Sequence, residues 1–329
     1  MKFPQLRVKL KVVKLKVMIS GLLVLAMGSA LLAAESINPP TMPQTAPMTA
    51  KEKKNLATAL EWWRIVIQNR HLDQAPKYQA ETYIQHNPNI NTGRAEFAKF
   101  FGSLPPAANP NAEKLATAPV VQGAKGDFVW LIWEREQKDP RDAEKTYHFN
   151  TFDVIRFENG KIQEHWDSAL RTPKSPVVEY GVSPKPPMQW NTGKLSKEEK
   201  MTEAMATEEL KDMLQYGHLE LADKTMDPGY IQHNPNVPQG RDGFKAFMGR
   251  VPGRTPQDIK PEWKSAPVLT LVNGPYSMMM WDRKVKDPAD PNKEYVANHY
   301  DVVRVENGKI KEHWDEAIIN PPAPGGKKQ

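Results

Sequence analysis

Apolar residues recur at helical spacing over residues 56–69 and again over 200–216, so each segment reads as an amphipathic helix. Residues 93–101 put Phe97, Phe100 and Phe101 on one face of a shorter helix. Phe244, Phe247 and Met248 repeat that face further along. The period then drops towards two. FVWLIWER (128–135) and YSMMMWDR (276–283) are strand-like, rich in bulky apolar residues. Residues 147–158 and 161–169 flank Asn159-Gly160, and Asn307-Gly308 occupies the same place later. An Asn-Gly pair between strands is the strongest short hairpin signal, because both residues tolerate the positive φ of a tight turn. Helices first and hairpins afterwards predict an α+β fold with an antiparallel sheet, not a parallel α/β fold.

The pattern occurs twice because the sequence does. YIQHNPNINTGRAEFAKFFG (83–102) and YIQHNPNVPQGRDGFKAFMG (230–249) agree at 12 of 20 positions. FDVIRFENGKIQEHWDSA (152–169) and YDVVRVENGKIKEHWDEA (300–317) agree at 13 of 18. The offsets are 147 and 148 residues, too long for a solenoid repeat and right for a duplicated domain. The copies are expected over residues 51–172 and 196–321. Residues 173–195 hold five prolines and two glycines and read as a linker. Residues 35–50 read as a polar, Pro-containing tether, and 322–329 as a disordered tail.

The first 34 residues read as a signal peptide. Six basic residues precede 18 residues without a charge, and small residues after Gly28 offer cleavage sites. The other reading is an uncleaved anchor, since 18 apolar residues just span a bilayer. The predicted location is periplasmic or secreted. The leader also changes the charge argument. The formal charge of +6 comes entirely from it, and the rest of the chain carries 39 basic and 39 acidic residues. Nucleic acid is therefore not an expected partner, nor is a membrane once the leader is removed. The chain has no cysteine, which excludes thiol catalysis and cysteine metal sites. No metal-binding spacing, phosphate-binding glycine loop or nucleophile elbow is present, so no cofactor or metal is predicted.

The order Y-I-Q-H-N-P, then G-R with spaced Phe, then E-N-G-K-I-x-E-H-W-D, resembles the SnoaL-like polyketide cyclase branch of the nuclear transport factor 2-like superfamily. The resemblance runs through nearly all of both copies. It implies two tandem cone-shaped domains, each a curved antiparallel sheet wrapped around N-terminal helices, with a pocket at the open end. Cyclases, isomerases and dehydratases that use acid–base chemistry on small hydrophobic carbonyl compounds have this fold. So do proteins that only bind or scaffold, and the reaction has to be argued from the site.

Six of the eight histidines pair across the copies: His71 with His218, His86 with His233, and His165 with His313. His71 and His218 read as helix-end residues. His86 and His233, just before Asn-Pro, are candidate acid–base groups, with turn fixation as the other reading. Strand alternation puts Ile162, Glu164 and Trp166 on one face and Gln163, His165 and Asp167 on the other. The apolar pair argues that the Glu164 face lines the cone. Glu164 and Glu312 are therefore candidate catalytic carboxylates or, alternatively, partners in structural ion pairs with Arg135 or Arg156. Asp167 and Asp315 are further candidate catalytic carboxylates, and Asp153 and Asp301 are also kept in both copies. Trp133, Trp166, Trp281 and Trp314 are the expected pocket walls. The predicted ligand is a small hydrophobic molecule, acted on by an enzyme or held by a non-catalytic binding or scaffold protein. In either case the copies are expected to pack as an intramolecular pseudo-dimer.

Overall fold

A short strand, β1 (Gln44–Thr45), leads into helix α1 (Ala50–Trp62). Thr49 and Glu52 form a capping box at the start of α1, each side chain accepting from the other's backbone N–H. Ser196 and Glu199 do the same for α4 (Lys197–Thr207). Each glutamate also reaches a hairpin glycine of its own copy: Gly126 N donates to Glu52 Oε1 at 2.9 Å and Gly274 N to Glu199 Oε1 at 3.1 Å. Both glycines sit at φ +60°, a conformation that a side chain would strain. Both helices continue as a π-helical turn, Trp63–Gln68 and Glu208–Met213. The computed structural model describes residues 44–175, Val178, Ser183 and residues 185–319. The expected leader and most of the expected tether, together with the tail, lie outside the described residues. Among the described residues, no helix is long and apolar enough to cross a membrane.

In copy one, α2 (Ala75–Tyr78) runs into β2 (Gln79–Gln85), and α3 (Arg94–Gly102) follows. Strands β3 (Val121–Lys125), β4 (Phe128–Asp139), β5 (Asp142–Glu158) and β6 (Lys161–Asp167) then pair antiparallel in succession. β2 closes the edge by pairing parallel with β6. The sheet is therefore mixed, because β2 enters from the helical layer and not from a hairpin. Copy two repeats the plan with α5 (Ala222–Thr225), β7 (Met226–Gln232), α6 (Gly240–Met248), β8 (Leu269–Asn273), β9 (Tyr276–Lys286), β10 (Glu294–Glu306) and β11 (Lys309–Asp315), in the order β7-β11-β10-β9-β8. The chain is α+β with two tandem domains.

Each sheet has two apolar faces, and they meet different things. In copy one, Val129, Leu131, Trp133, Ile155, Phe157 and Ile162 share a buried cluster with Ala59, Trp62 and Val66 of the helix above them. This is the inside of the cone. The opposite face, with Phe128, Trp130, Ile132, Phe152, Val154 and Trp166, forms one cluster with Tyr276, Met278, Met280, Tyr300, Val302 and Trp314 of copy two. Polar bonds also cross between the copies. Asn150 Nδ2 donates to the Asp315 carbonyl at 3.3 Å, and the equivalent Asn298 Nδ2 donates to the Asp167 carbonyl at 3.2 Å. Lys125 meets Glu199 at 2.7 Å. Ala46, from the stretch expected to be a tether, is buried in the shared cluster.

Candidate functional site

The hairpin strand carries an irregularity that decides what the cone contains. Arg156 pairs with Glu164 but Phe157 pairs with Ile162, so Gln163 is an extra residue in β6. Lys311 is extra in the same way, between the Arg304–Glu312 and Val305–Ile310 pairs. Such a bulge breaks the two-residue alternation. Ile162 faces the cone as expected, but so do His165 and Asp167, while Glu164 and Trp166 face the other copy. The expectation that Glu164 lines the cone with Ile162 is therefore corrected: it assumed unbroken alternation.

On the outer face, Glu164 is fully buried and accepts from Arg156 Nε at 3.0 Å and from Ser183 Oγ at 2.8 Å. Burial works to raise its pKa, but the bonds from His86 and Arg156 outweigh burial and hold it below the usual glutamate value. His86 Nε2 lies 3.4 Å from Glu164 Oε2, with its ring stacked 4.4 Å above Trp166. Copy two repeats this arrangement. His233 Nε2 is 3.4 Å from Glu312 Oε1 and stacks 4.8 Å from Trp314, while Arg304 holds the other carboxylate oxygen. Of the expected pocket walls, Trp133 and Trp281 face the cones. Trp166 and Trp314 lie in the shared cluster between the copies instead.

The inside of each cone holds a different constellation. In copy one, His165 Nε2 lies 2.6 Å from Asp153 Oδ1, and Trp133 Nε1 donates to Asp153 Oδ2 at 2.5 Å. Asp167 sits opposite Asp153 in the strand register and accepts from Asn87 Nδ2 at 2.8 Å. Burial pulls the His165 pKa down, but the Asp153 hydrogen bond and charge leave it above the ordinary histidine value. Burial raises the Asp167 carboxyl, and the charge of Asp153 adds to the effect. Gln85 Oε1 accepts from Asn87 N at 3.1 Å, which turns its amide nitrogen towards His165 Nδ1, 3.4 Å away.

In copy two, His313 Nε2 lies 2.9 Å from Asp301 Oδ1, and His313 Nδ1 lies 2.8 Å from Glu209 Oε1. Both ring nitrogens face carboxylates, so both donate and the ring is an imidazolium. Burial opposes that charge, yet Glu209 and Asp301 raise the His313 pKa well above normal. Asp301 is held far below its usual value against burial, because His299 and His313 flank it. Burial raises the Asp315 carboxyl. Tyr230 OH donates to Glu209 Oε1 at 2.9 Å.

The donor atoms of Asp153, His165 and Asp167 all lie within 4.8 Å of one another, as do those of Asp301, His313 and Asp315. That spacing would suit a small cation, although no sequence motif announces it. As arranged, each histidine Nε2 is already taken up by an aspartate, and each set is a hydrogen-bonded proton cluster.

Of the residues singled out in the sequence, the structure groups Asp167 and Asp315 with the cone-facing sets. His86, His233, Glu164 and Glu312 are grouped on the outer faces. The sequence reading did not select His165, His313 or Glu209. The first two were legible as H-x-D in both copies. Glu209 carried no such signal, because copy one has Trp62 in its place.

The SnoaL-like domain profile matches residues 59–165 and 207–313, well over half of the chain, and the chain belongs to that family with two domains. Solved structures similar to single copies include a protein proposed to be a polyketide cyclase from Acidithiobacillus ferrooxidans. It is 20% identical, aligned over 36% of this chain and 89% of its own, with a TM-score of 0.27. An epoxide hydrolase of M. tuberculosis is 13% identical over 36% of this chain and 83% of its own, with a TM-score of 0.25. TerC, co-crystallised with polyporic acid, is 16% identical over 35% and 89%, with a TM-score of 0.26. No curated protein matches the chain.

Proposed function

We propose that this chain is an exported acid–base protein that cyclises, isomerises or dehydrates a small hydrophobic carbonyl compound inside a cone. One observation carries the reading. A histidine held by an aspartate, with a second aspartate beside it, faces the cone in both copies: Asp153, His165 and Asp167 in the first, Asp301, His313 and Asp315 in the second. Adjacent titratable groups whose surroundings push their pKa values apart supply an acid and a base at one pH. The aspartate at 167 or 315, its carboxyl raised by burial, takes a proton from the carbon beside the carbonyl. The histidine, with both ring nitrogens already engaged, orients the neighbouring aspartate and, as an imidazolium in copy two, favours the developing enolate through its charge. The proton then returns to another carbon, or to a departing hydroxyl. On this reading His86, His233, Glu164 and Glu312 are structural groups of the outer faces, and the copies pack there as an intramolecular pseudo-dimer. The basic, then apolar, leader supports export.

The second reading is a non-catalytic binding or scaffold protein. The depth of the clusters favours it, since His165 and His313 are almost wholly buried. Hydrogen exchange separates the two. A panel of small ketones and enones in D₂O should exchange the hydrogens beside the carbonyl in the presence of the protein. The double variant Asp167→Asn with Asp315→Asn should lose nearly all of this exchange. Exchange that survives in the folded double variant sinks the acid–base reading.

A further inference from the structure

The two cones share a backbone plan but not a filling. In copy one, Trp62 is fully buried and its ring meets His165 edge-on, 5.4 Å between centres. It occupies the space over the histidine that a ligand would need. The same helical position in copy two is Glu209. The strand residues facing the cone change in the same direction. Val129, Ile155 and Phe157 of copy one correspond to Ser277, Val303 and Val305 of copy two. Each replacement removes bulk from the inside of the second cone, and two of them add a polar atom.

Those polar atoms lie on the inside of the second cone. Glu209 and Ser277 are both 0% exposed. Glu209 Oε1 is engaged by Tyr230 and His313, but Oε2 has no hydrogen-bond partner among the described residues, and neither has Ser277 Oγ. A buried polar atom without a partner is costly, and a native fold that keeps two of them calls for an occupant. The sheet register places them around the catalytic cluster. Ser277 pairs with Val303, and Val303 pairs with His313. Ser277 and His313 thus flank Val303 on the cone face, about 10 Å apart at two strand spacings. Copy one also leaves Trp62 Nε1 and the Gln79 amide without partners, but the Trp62 ring itself fills the space over His165, and Gln79 pairs with Ile162, one row nearer the hairpin turn.

We propose that the second cone alone is the ligand chamber of this chain. Its occupant is a small, mainly apolar molecule that presents a hydroxyl or another hydrogen-bond donor to Glu209 and accepts from or donates to Ser277. Trp62 closes the first cone, which serves as the fixed half of the pair. The proposal rests on the acid–base reading for what happens to the ligand, not for where it binds. Met213, Met226 and Met279 line the second cone, where the first has Val66, Gln79 and Leu131, and they provide local reporters.

The test is a titration of the full chain, labelled with ¹³C at its methionine methyls, with phenol and with toluene, which has the same ring without the donor. Phenol should shift the Met279 and Met213 methyls saturably, at one site per chain, and toluene should bind at least tenfold more weakly. Ser277→Val, the residue that copy one uses at that place, should weaken phenol about tenfold and leave toluene unchanged. Glu209→Gln, close in shape, should weaken phenol further. Equal affinity for the two probes, an unmoved phenol affinity in Ser277→Val, two sites per chain, or no saturable shift would each overturn the proposal. Binding is read without turnover. A chain that binds phenol as expected but exchanges no hydrogens would reject the acid–base reading and leave the chamber standing.

Discussion

Phe152 and Tyr300 stack face to face, 5.1 Å between ring centres and 2° between planes. They are the same position of the two copies. The stack lies within the apolar cluster that the two copies share. Reciprocal bonds from Asn150 and Asn298 lie on either side of it. Truncating either ring should cost about 3–5 kcal/mol, as for other buried aromatics. The double variant should cost less than the sum of the singles by about 1 kcal/mol, since the stacking is lost only once. Chemical denaturation of Phe152→Ala, Tyr300→Ala and the pair measures this, and strict additivity would show that the rings do not interact.

The outer-face carboxylates should behave as structural groups. Glu164 neutralises Arg156, which is itself almost wholly buried, and Glu312 does the same for Arg304. Neutralising Glu164 leaves Arg156 with Glu158 alone, 2.9 Å away and partly exposed, at a cost towards the lower end of the about 3–5 kcal/mol for a broken buried pair. Glu164→Gln should therefore lower the unfolding midpoint markedly. At a temperature where the variant stays folded, hydrogen exchange on the ketone panel should remain within about twofold of the parent. The same should hold for Glu312→Gln, in the copy that holds the ligand, and a large loss of exchange there with unchanged stability would return these glutamates to the acid–base machinery.

Copy two should weaken at high pH through a residue that copy one lacks. His299 lies 3.2 Å from Asp301 and also bonds Glu316, and Thr151 takes its place in copy one. Burial opposes its charge, but the two carboxylates lift its pKa from 6.5 to about 10. With the folded pKa above the unfolded one, the folded state holds the proton more tightly. The stabilisation is complete below about 6.5, declines as pH rises, and is gone above about 10. In His299→Gln, the stability lost between pH 7 and 10 should be smaller than in the parent, by up to about 1.4 kcal/mol per pH unit. Thermal melts across that range should show the two curves converging as pH rises, and a constant gap would refute the coupling.

Much of this fold is written locally. The Asn-Gly turns at 159 and 307, the helical Phe spacing at 97 and 100–101, and the duplication itself are short-range signals, and each corresponds to an observed element. The strands β2 and β3 were not legible. QAETYIQ and VQGAK have neither alternation nor a turn pair, and they become strands only by pairing with β6 and β4. The site failed for a similar reason. Alternation along β6 is a sound rule until one extra residue is inserted, and nothing in KIQEHWD says that Gln163 is extra. Glu209 gave no signal in the sequence, because its role depends on a helix crossing over His313, which is a tertiary fact.

The bulge therefore offers the sharpest test of the cone-facing assignment. Removing Gln163 would leave the pairs Phe157–Ile162, Arg156–Glu164 and Ile155–His165 in plain register, so His165 and Asp167 should stay inside the cone and Glu164 and Trp166 outside it. The deletion removes only the extra residue with its local bend and its bond to β2, so it should cost about 1–3 kcal/mol and leave copy one folded. Substitution in place should act differently. Gln163 Nε2 donates to the Thr82 carbonyl at 2.7 Å, a partly exposed bond across to β2. Gln163→Ala keeps the extra residue, and it should cost only about 1 kcal/mol and leave the His165 environment unchanged. Backbone and histidine chemical shifts of the two variants, read beside their denaturation midpoints, separate the cases. A deletion variant in which His165 turns to the outer face would refute Gln163 as the extra residue and with it the cone-facing assignment.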